Sequence, residues 1–311
     1  MPHIQNPPSP IVPKLEGLHL FHFDGAPCAQ RVRFAMGEKG LARGREVRFD
    51  AADASAASGE SGRWVSRIVS LVRKDHMTPQ YAQIHPDLVV PALVHDGRLW
   101  LESLDIIEYL DSAFGGDPLL PLEEPLRSRT LELANKARAL HVSLRYATFR
   151  WGLGWLAKLN SGEQQKLKDL VGRGADTENL AVFYDGYSNN GIPEAVFEEH
   201  LSRLLTAFTE LNQTLESGQP FLTGSTLTLA DAFWAMKVLR LKECGYPFSD
   251  LHPAVSTWFD RMYARPSFQS EVMGNNRLTN RLFTLKATLE KAVGAGLNPV
   301  LRRLVKNQRA S

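Results

Sequence analysis

The stretch DLVVPALVHDGRLWLES, residues 87–103, decides the fold of this chain. It predicts a short apolar strand, a tight turn at Asp96-Gly97 and a returning strand, because an Asp-Gly pair between apolar runs is a strong hairpin signal. Ser103 is a good helix N-cap, and apolar residues follow it at helical spacing: Ile106, Ile107, Leu110 and Phe114. The sequence therefore predicts strand, turn, strand and capped helix.

Two residues give this hairpin chemical interest. Pro91 opens a buried strand, and because proline cannot donate to a sheet ladder it indicates an edge, a bulge or a special turn. A cis bond before Pro91 would turn the N–H and C=O of Val90 toward a ligand. Ser103 offers a hydroxyl and backbone N–H groups at the positive end of a helix, which is a ready anion site. An ordinary hairpin followed by an ordinary capped helix explains the same residues.

The composition is that of a globular protein, with 43% hydrophobic and 23% charged residues among 311. Cys28 and Cys244 are the only cysteines, which is too few for a disulfide framework. Residues 1–13 have no apolar core of a secretory signal, and no apolar run approaches the length of a spanning helix. We therefore expect a cytoplasmic protein.

The net charge of +2 hides an asymmetry between the tail and the rest of the chain. Eight Lys or Arg against Glu290 alone give residues 275–311 a charge of +7, which leaves −5 (2 − 7) for the remainder. The basic character therefore belongs to the tail, and a nucleic-acid-binding face is not indicated.

The order of elements before and after the hairpin completes the pattern. Residues 18–23 predict a strand buried on both faces, and Pro27 suits the first position of the helix that follows. Residues 46–49 resume as a strand. The Pro- and Gly-rich residues 115–125 indicate a domain boundary, beyond which the patterns are helical.

Two motifs in this order carry a family resemblance. Residues 89–103, VVPALVHDGRLWLES, resemble the core of the first domain of the glutathione transferase superfamily. Residues 224–231, GSTLTLAD, resemble the helix-capping motif of its second domain, and physically Thr228 and Asp231 form a capping box. The resemblance covers about residues 18–272. It implies an α/β thioredoxin-like N-terminal domain followed by an all-α helical C-terminal domain.

The expected domain organisation follows from this resemblance. We expect a flexible arm over 1–16, a thioredoxin-like glutathione-binding domain over 17–114, a linker over 115–125, an all-helical domain over 126–273 and a basic amphipathic extension over 274–311. Residues 51–77 form an insertion, in which we expect a surface helix, with a lid beside the pocket as the alternative. Its apolar stripe consists of Trp64, Ile68, Leu71 and Val72. Residues 161–192 are predicted as a second, loop-rich insertion.

The resemblance assigns the glutathione contacts residue by residue. In the family, the valine before a cis-proline pairs through its backbone with the cysteinyl part of glutathione, which points to Val90 and Pro91. A Glu-Ser pair holds the γ-glutamyl carboxylate, which points to Glu102 and Ser103. Glutathione is thus the expected cofactor, and no metal site is expected.

The sequence departs from the family at the catalytic position. In the family, a Ser or Cys in the turn between the first strand and the first helix stabilises the glutathione thiolate. This chain has Gly25 and Ala26 at those positions. The candidates are the backbone amides from Ala26 onward, Cys28 in the first helical turn, and Asp24, which could orient a water or the glutathione amine. A small buried hydrophobe is the alternative for Cys28, and a simple turn residue is the alternative for Asp24.

Aromatic residues mark a candidate electrophile pocket, which the family places beside a long helix of the second domain. Core packing explains the same aromatic residues. They are Tyr146, Phe149, Trp151, Tyr184 and Tyr187.

The resemblance implies a glutathione S-transferase-type enzyme whose thiolate attacks a hydrophobic aromatic small molecule. The missing Ser or Cys and the aromatic helix are similar to bacterial β-etherases, in which glutathione displaces a phenoxide from a lignin-derived ketone. The C-terminal half is also similar to the ganglioside-induced differentiation-associated protein group. The alternatives are a non-catalytic glutathione-fold subunit or binding protein, and a glutathione-dependent thiol-disulfide reductase that uses Cys28. We expect a homodimer or a heterodimer.

The tail carries an apolar stripe among basic residues, formed by Leu278, Leu282, Leu285, Leu289 and Val293. Docking of the tail on the second domain is the expected arrangement. Contact with a membrane surface and pairing with a partner protein are the alternatives.

Overall fold

The computed structural model describes residues 3–4, 6–51, 62–152, 154–171 and 180–310. The chain forms two compact units. The first consists of Met1–Asp117 with Ala157–Gly191, and the second consists of Pro118–Leu156 with Ile192–Ser311. The first unit is thioredoxin-like and the second is all-helical, so the predicted fold class is confirmed.

The strands, in chain order, are β1 (Leu18–His22), β2 (Ala42–Arg48), β3 (Arg63–Ile68), β4 (Ala92–His95) and β5 (Arg98–Trp100). The helices are α1 (Pro27–Glu38), α2 (Pro79–Ala82), α3 (Ser103–Ala113), α4 (Leu126–Ala139), α5 (His141–Trp151), α6 (Ser161–Val171), α7 (Leu180–Asn190), α8 (Glu194–Leu215), α9 (Leu229–Glu243), α10 (Phe248–Leu251), α11 (Pro253–Tyr263), α12 (Arg277–Ala292) and α13 (Leu297–Ala310).

The first unit is built on a five-stranded sheet in the order β2-β3-β1-β4-β5. β1 runs parallel to β3 and antiparallel to β4, while β5 returns antiparallel to β4. All of β1 is buried, as its apolar run predicted for a central strand. Asp96 and Gly97 both have positive φ, which is the conformation that the Asp-Gly hairpin signal predicted.

The prediction of a surface helix around Trp64 is wrong, because this segment is β3, an interior strand of the sheet. The helical spacing of its apolar residues is fortuitous. The consecutive run from Trp64 to Arg67 is buried, which is typical of a strand covered on both faces. Its two polar members pair with β1: Ser66 with His22, and Arg67 with His19. Residues 52–61 of the predicted insertion lie outside the described residues.

The predicted flexible arm also differs from the structure. Val12 and Leu15 are buried in the same core cluster as β4, and the Ile4 N–H donates to the Leu99 carbonyl at 2.8 Å. These few apolar residues were too sparse among prolines to show a periodic pattern. Their burial makes at least residues 11–15 part of the first unit.

The predicted loop-rich insertion over 161–192 contains helices α6 and α7, with residues 172–179 outside the described part of the chain. Leu167, Leu170 and Leu180 are buried. Polar neighbours obscured this spacing in the sequence. The segment belongs to the compact first unit rather than to the second.

The second unit is organised around α9, nearly all of whose residues are buried. The predicted capping box at its start is confirmed, since the Thr228 N–H donates to the Asp231 carboxylate at 2.9 Å. The same carboxylate accepts from the Leu222 N–H and from the Trp258 indole, each at 3.0 Å. Burial raises the pKa of Asp231, so these donors are needed to hold its charge. The motif therefore joins α9 to α11 as well as capping the helix.

The tail packs on the second unit, as expected, but through an unexpected face. Phe283 of α12 and Leu297 and Leu301 of α13 are buried, and α12 contacts α9 while α13 contacts α8. The leucine stripe along α12, formed by Leu278, Leu282, Leu285, Leu289 and Val293, is instead exposed. Among the described residues, no helix combines the length and the apolar character needed to cross a bilayer.

Several buried histidines are held neutral by their surroundings. Burial lowers the pKa of His19, His85 and His252 to about 4, and that of His76 to about 3. His22 is shifted well below its ordinary pKa, first by burial and then by neighbouring arginines. Arg67 donates to His19, and Arg33 contacts His22 Nδ1 at 3.1 Å, so protonation would place two cations together.

These histidines predict a loss of stability in mild acid. The unfolded chain binds protons near pH 6.5 but the folded chain does so only near pH 4, so the stabilising effect is complete above pH 6.5 and is lost as the pH falls. Each histidine should contribute on the order of 1–3 kcal/mol. Urea unfolding at about pH 7, 6 and 5 measures this slope.

A matched pair of variants tests the cause. His252→Gln should flatten the pH dependence, whereas His3→Gln, at a half-buried site near the N-terminus, should leave it unchanged. A free energy of unfolding that stays constant between neutral and mildly acidic pH would contradict neutral burial of these rings.

Candidate functional site

Three segments meet at one end of the sheet because of the strand register. In the β4–β5 ladder Leu93 lies opposite Trp100, and Leu101, the residue after β5, packs on the core cluster that contains Val90. In the β1–β4 ladder Phe21 lies opposite Ala92, and Phe23, just after β1, packs on the same core cluster. The Val90-Pro91 bond is cis. Val90 thus lies between the turn after β1 and the start of α3.

Helix α3 begins one residue earlier than the predicted cap at Ser103 implied. Glu102 occupies the N-cap position, without a side-chain capping bond, and Ser103 is the first helical residue. Ser103 is only 5% exposed, whereas the Glu102 side chain is exposed. The first-turn N–H groups of a helix have no acceptor within it, so this end of α3 carries donors and a partial positive charge.

Two buried side chains that the sequence did not single out fix the base of the hairpin. The Tyr81 hydroxyl donates to the carbonyl of Val89 at 2.7 Å, directly before Val90. The His85 ring hydrogen-bonds the backbone of Leu101, directly before Glu102. The sequence alone indicates only that both are core residues. The fold shows which backbone groups they hydrogen-bond.

The turn between β1 and α1 corrects one catalytic candidate. Ala26 is the N-cap of α1 and packs on the core cluster that contains Val90. Its N–H donates to the Phe23 carbonyl at 3.1 Å, so the Ala26 amide is used by the turn rather than offered to a ligand. Pro27 has no N–H, and the first helical amides therefore belong to Cys28 and Ala29.

Asp24 lies in a partly buried charged cluster. Arg43 donates to its carboxylate at 2.8 Å, and Arg33 donates to its backbone carbonyl at 2.8 Å. This ion pair shapes the turn, and the expectation that Asp24 orients a water or the glutathione amine stays a prediction. Arg33 is completely buried and also reaches His22 and the Phe23 carbonyl, so one guanidinium braces the whole turn.

Cys28 is half-buried in the first turn of α1, and the Arg31 guanidinium donates to its sulfur at 2.7 Å. This contact differs from the alternative of a hydrophobe in the helix–sheet core. A cationic donor at the positive end of a helix is a setting in which protein thiols react as nucleophiles. Cys244, in contrast, is fully enclosed, and burial raises its pKa to about 12.

The aromatic candidates on α5 belong to the second unit. The ring of Tyr146 stacks on His200 with centroids 4.1 Å apart, and Trp151 meets Phe197 edge-on. A Cβ at Gly154 would lie 2.2 Å from the Phe149 carbonyl oxygen, so only glycine allows the chain to fold back over this helix end. Tyr146, Phe149 and Trp151 are each half-buried.

The remaining two candidates, Tyr184 and Tyr187, lie on α7 in the first unit. They are 9% and 7% exposed, and Phe183 stacks on Tyr187 with centroids 5.8 Å apart. Burial raises the pKa of the Tyr187 hydroxyl. Their surroundings are those of core residues, and a role in an electrophile pocket stays a prediction.

Comparison with known proteins agrees with this architecture. Residues 20–118 match the model of the glutathione S-transferase N-terminal domain, and residues 194–261 match that of the C-terminal domain. Protein LigF of Sphingobium sp. (strain NBRC 103272 / SYK-6) is 25% identical over 196 residues, which cover 61% of this chain and 75% of LigF. A 2,5-dichlorohydroquinone reductive dechlorinase of Sphingobium indicum is 27% identical over 301 residues, covering 85% of this chain and 83% of that protein.

The fold is also that of solved members. The crystal structure of the β-etherase LigF from Sphingobium sp. strain SYK-6 matches with a TM-score of 0.66 at 20% identity, covering 82% of this chain and 98% of that one. A thioredoxin-like unit with a cis-proline hairpin, joined in one chain to an all-helical unit, defines a glutathione-dependent class of protein. The chain belongs to the cytosolic glutathione S-transferase superfamily. Its co-substrate is glutathione.

The two cysteines should differ sharply in reactivity. Iodoacetamide should modify Cys28 in the native protein, because Arg31 and the helix end favour a nucleophilic sulfur, and should modify Cys244 only after unfolding. Arg31→Met should slow the reaction at Cys28 about tenfold. Peptide mass spectrometry against time measures both sites, with circular dichroism to confirm that the variant is folded. Equal rates at Cys28 in the two proteins would show that Arg31 does not activate the thiol.

Proposed function

We propose that this chain is a glutathione transferase that uses the glutathione thiolate to attack an aromatic electrophile. One observation carries the proposal: Val90, before the cis-proline, lies in the core cluster against which Ala26, at the start of α1, and Leu101, just before Glu102, are packed. An extended peptide can pair with the backbone at Val90 while its anionic end reaches the N–H groups of α3. Glutathione has both features.

The binding mode assigns a task to each part of the tripeptide. The cysteinyl backbone pairs with Val90 beside Pro91, and the γ-glutamyl carboxylate is held at Glu102 and Ser103. The buried position of Ser103 supports a hydroxyl that is already oriented, and Tyr81 fixes the carbonyl next to Val90. The sulfur then lies toward the turn between β1 and α1.

The thiolate is stabilised without a hydroxyl side chain at this turn. A Cβ at Gly25 would lie 3.3 Å from the Phe23 ring, so a serine at that position would press on Phe23. The amides of Cys28 and Ala29, at the positive end of α1, take the place of the missing hydroxyl. Glutathione sulfur forms a bond to the electrophilic carbon, and the leaving group departs with the electron pair of the broken bond.

The electrophile is an aromatic compound with a stable anionic leaving group. The β-etherase LigF supports a phenoxide leaving group and thus cleavage of a β-aryl ether of a lignin-derived compound. The aromatic rings of α5 supply a flat apolar surface for such a molecule. Like other members of its family, the protein is proposed to act as a dimer.

A second candidate function is thiol-disulfide reduction, which the contact of Arg31 with the Cys28 sulfur favours. The Cys28 thiolate would attack a mixed disulfide of glutathione, releasing the partner thiolate and forming a Cys28–glutathione disulfide. A second glutathione thiolate would then release glutathione disulfide and restore Cys28. A conjugation reaction needs no such exchange.

A comparison of two reactions in wild type and Cys28→Ser separates these functions. We expect the wild type to release phenol from a β-aryl ether ketone in the presence of glutathione, and Cys28→Ser to retain this activity within about threefold, since the thiol does not form a bond in that reaction. Phenol release is followed by chromatography, and reduction of hydroxyethyl disulfide is measured in parallel. Retention on glutathione–agarose with no turnover of any aryl ether or aryl halide would favour the non-catalytic binding protein. Loss of disulfide reduction in Cys28→Ser, with no conjugation in either protein, would favour the reductase.

Tyr81→Phe should weaken glutathione binding through the hairpin. Loss of its bond to the Val89 carbonyl should raise the Kd for glutathione about fivefold, corresponding to about 1 kcal/mol. Tyr246→Phe is the matched control, because it also removes a buried tyrosine hydroxyl bond, to His252 at 2.9 Å in the second unit. Titration calorimetry with glutathione measures both variants. Equal affinity for glutathione in Tyr81→Phe and Tyr246→Phe would contradict the positioning role of Tyr81.

A further inference from the structure

The tail helix α12 is packed against the second unit along one face only. Phe283 is buried, and Ala287 approaches the ideal Cβ position of Gly245 to 3.1 Å. Lys286 donates to the Trp151 carbonyl at 2.7 Å, and Asn280 donates to Glu243 at 3.0 Å. These contacts fix the rotation of α12 on the second unit.

The opposite face is an exposed leucine stripe. Its members lie between 57% and 78% exposed and follow helical spacing over about four turns, or ~22 Å along the axis. They are Leu278, Leu282, Leu285, Leu289 and Val293. Single exposed leucines are common, but a continuous apolar stripe of this length indicates a binding surface.

The charges around the leucine stripe are basic. Arg277 and Arg281 are exposed near its first half. Near its other end, Lys291 shares a shallow depression with Arg302 and Lys306 of α13; Asp250 also lines this depression. The only acidic residue between positions 275 and 311 is Glu290, and it is paired with Lys286.

From this combination we infer that the leucine stripe of α12 binds the surface of an anionic phospholipid bilayer. A helix with a linear apolar face and basic flanks lies in the plane of the interface, with its leucines among the acyl chains and its cations at the lipid phosphates. The docked face keeps α12 attached to the protein, so the contact is peripheral.

A second copy of this chain fits the leucine stripe less well. Two such stripes packed face to face would bring the basic flanks of one helix against those of the other, in either direction, with no exposed carboxylate of the tail to compensate. An anionic surface removes this repulsion. The charge pattern thus favours lipid over self-association.

Co-sedimentation of the purified full-length protein with vesicles tests the inference. The protein should bind vesicles of phosphatidylcholine mixed with phosphatidylglycerol, and should bind pure phosphatidylcholine at least about tenfold more weakly. High salt should weaken binding to the mixed vesicles, because exposed charges are then screened.

Three variants test whether the leucine stripe and the arginines beside it form the lipid-binding surface. Leu282→Glu with Leu285→Glu should reduce binding at least about tenfold, since two apolar anchors become anionic. Arg277→Gln with Arg281→Gln should reduce binding about tenfold and weaken its salt dependence. Leu122→Glu is the matched control, because Leu122 is 85% exposed and lies outside the tail. It should bind like the wild type.

Activity toward glutathione and an aryl electrophile without vesicles, together with circular dichroism, confirms that each variant is folded. The inference is overturned if the wild type does not sediment with anionic vesicles, or if the double glutamate variant binds as the wild type does. It is equally overturned if analytical ultracentrifugation shows self-association through the leucine stripe and the protein does not co-sediment with vesicles.

Discussion

The hydrogen-bond register of β4 is the constraint on which the candidate site depends. β4 pairs with β1 on one side and with β5 on the other, and both ladders are antiparallel. Just before β4, Val90 lies in the core cluster against which Phe23, after β1, and Leu101, after β5, are packed. A slip of one residue in either ladder would exchange the side chains on the two faces of β4. Because Ala92, Leu93 and Val94 are all buried, close packing on both faces opposes such a slip. The core thereby fixes the position of a backbone group that itself contributes little to stability.

Buried polar groups hold the loops that the strand register cannot reach. Tyr81 fixes the carbonyl before Val90, and Arg33 fixes the two carbonyls that follow β1. Arg33 is completely buried, so its desolvation must be offset by these acceptors and by Asp24 nearby at 3.8 Å. Burial is the main reason that His22 stays neutral, and the Arg33 guanidinium adds to the effect because it disfavours a second cation beside it.

The sequence predicted the features that local rules determine. The Asp96-Gly97 turn and the capping box at Thr228 depend on neighbouring residues, and both were confirmed. β3 was mistaken for a helix because its decisive feature is not local: the buried Ser66 and Arg67 have hydrogen-bond partners distant in sequence, among them the histidines of β1. The roles of Tyr81 and Arg31 were missed for a related reason. A side chain that holds a distant carbonyl or a nearby sulfur has no signature in hydrophobic periodicity.

The tail shows a different limit of periodicity. The leucine stripe is the strongest amphipathic signal of α12, and amphipathic signals are usually taken to mark the buried face. In this helix the packed face instead consists of Phe283 and small or polar residues that fit closely against glycines and carbonyls. Close approach and specific hydrogen bonds select a docking face as effectively as apolar area does, because a small side chain such as Ala287 allows backbones to come near each other. A helix whose packed face is secured in this way can keep its most apolar face directed outward. An exposed apolar stripe on a well-anchored helix is therefore a property of the folded protein. Its residue types indicate the chemistry of the partner that binds there.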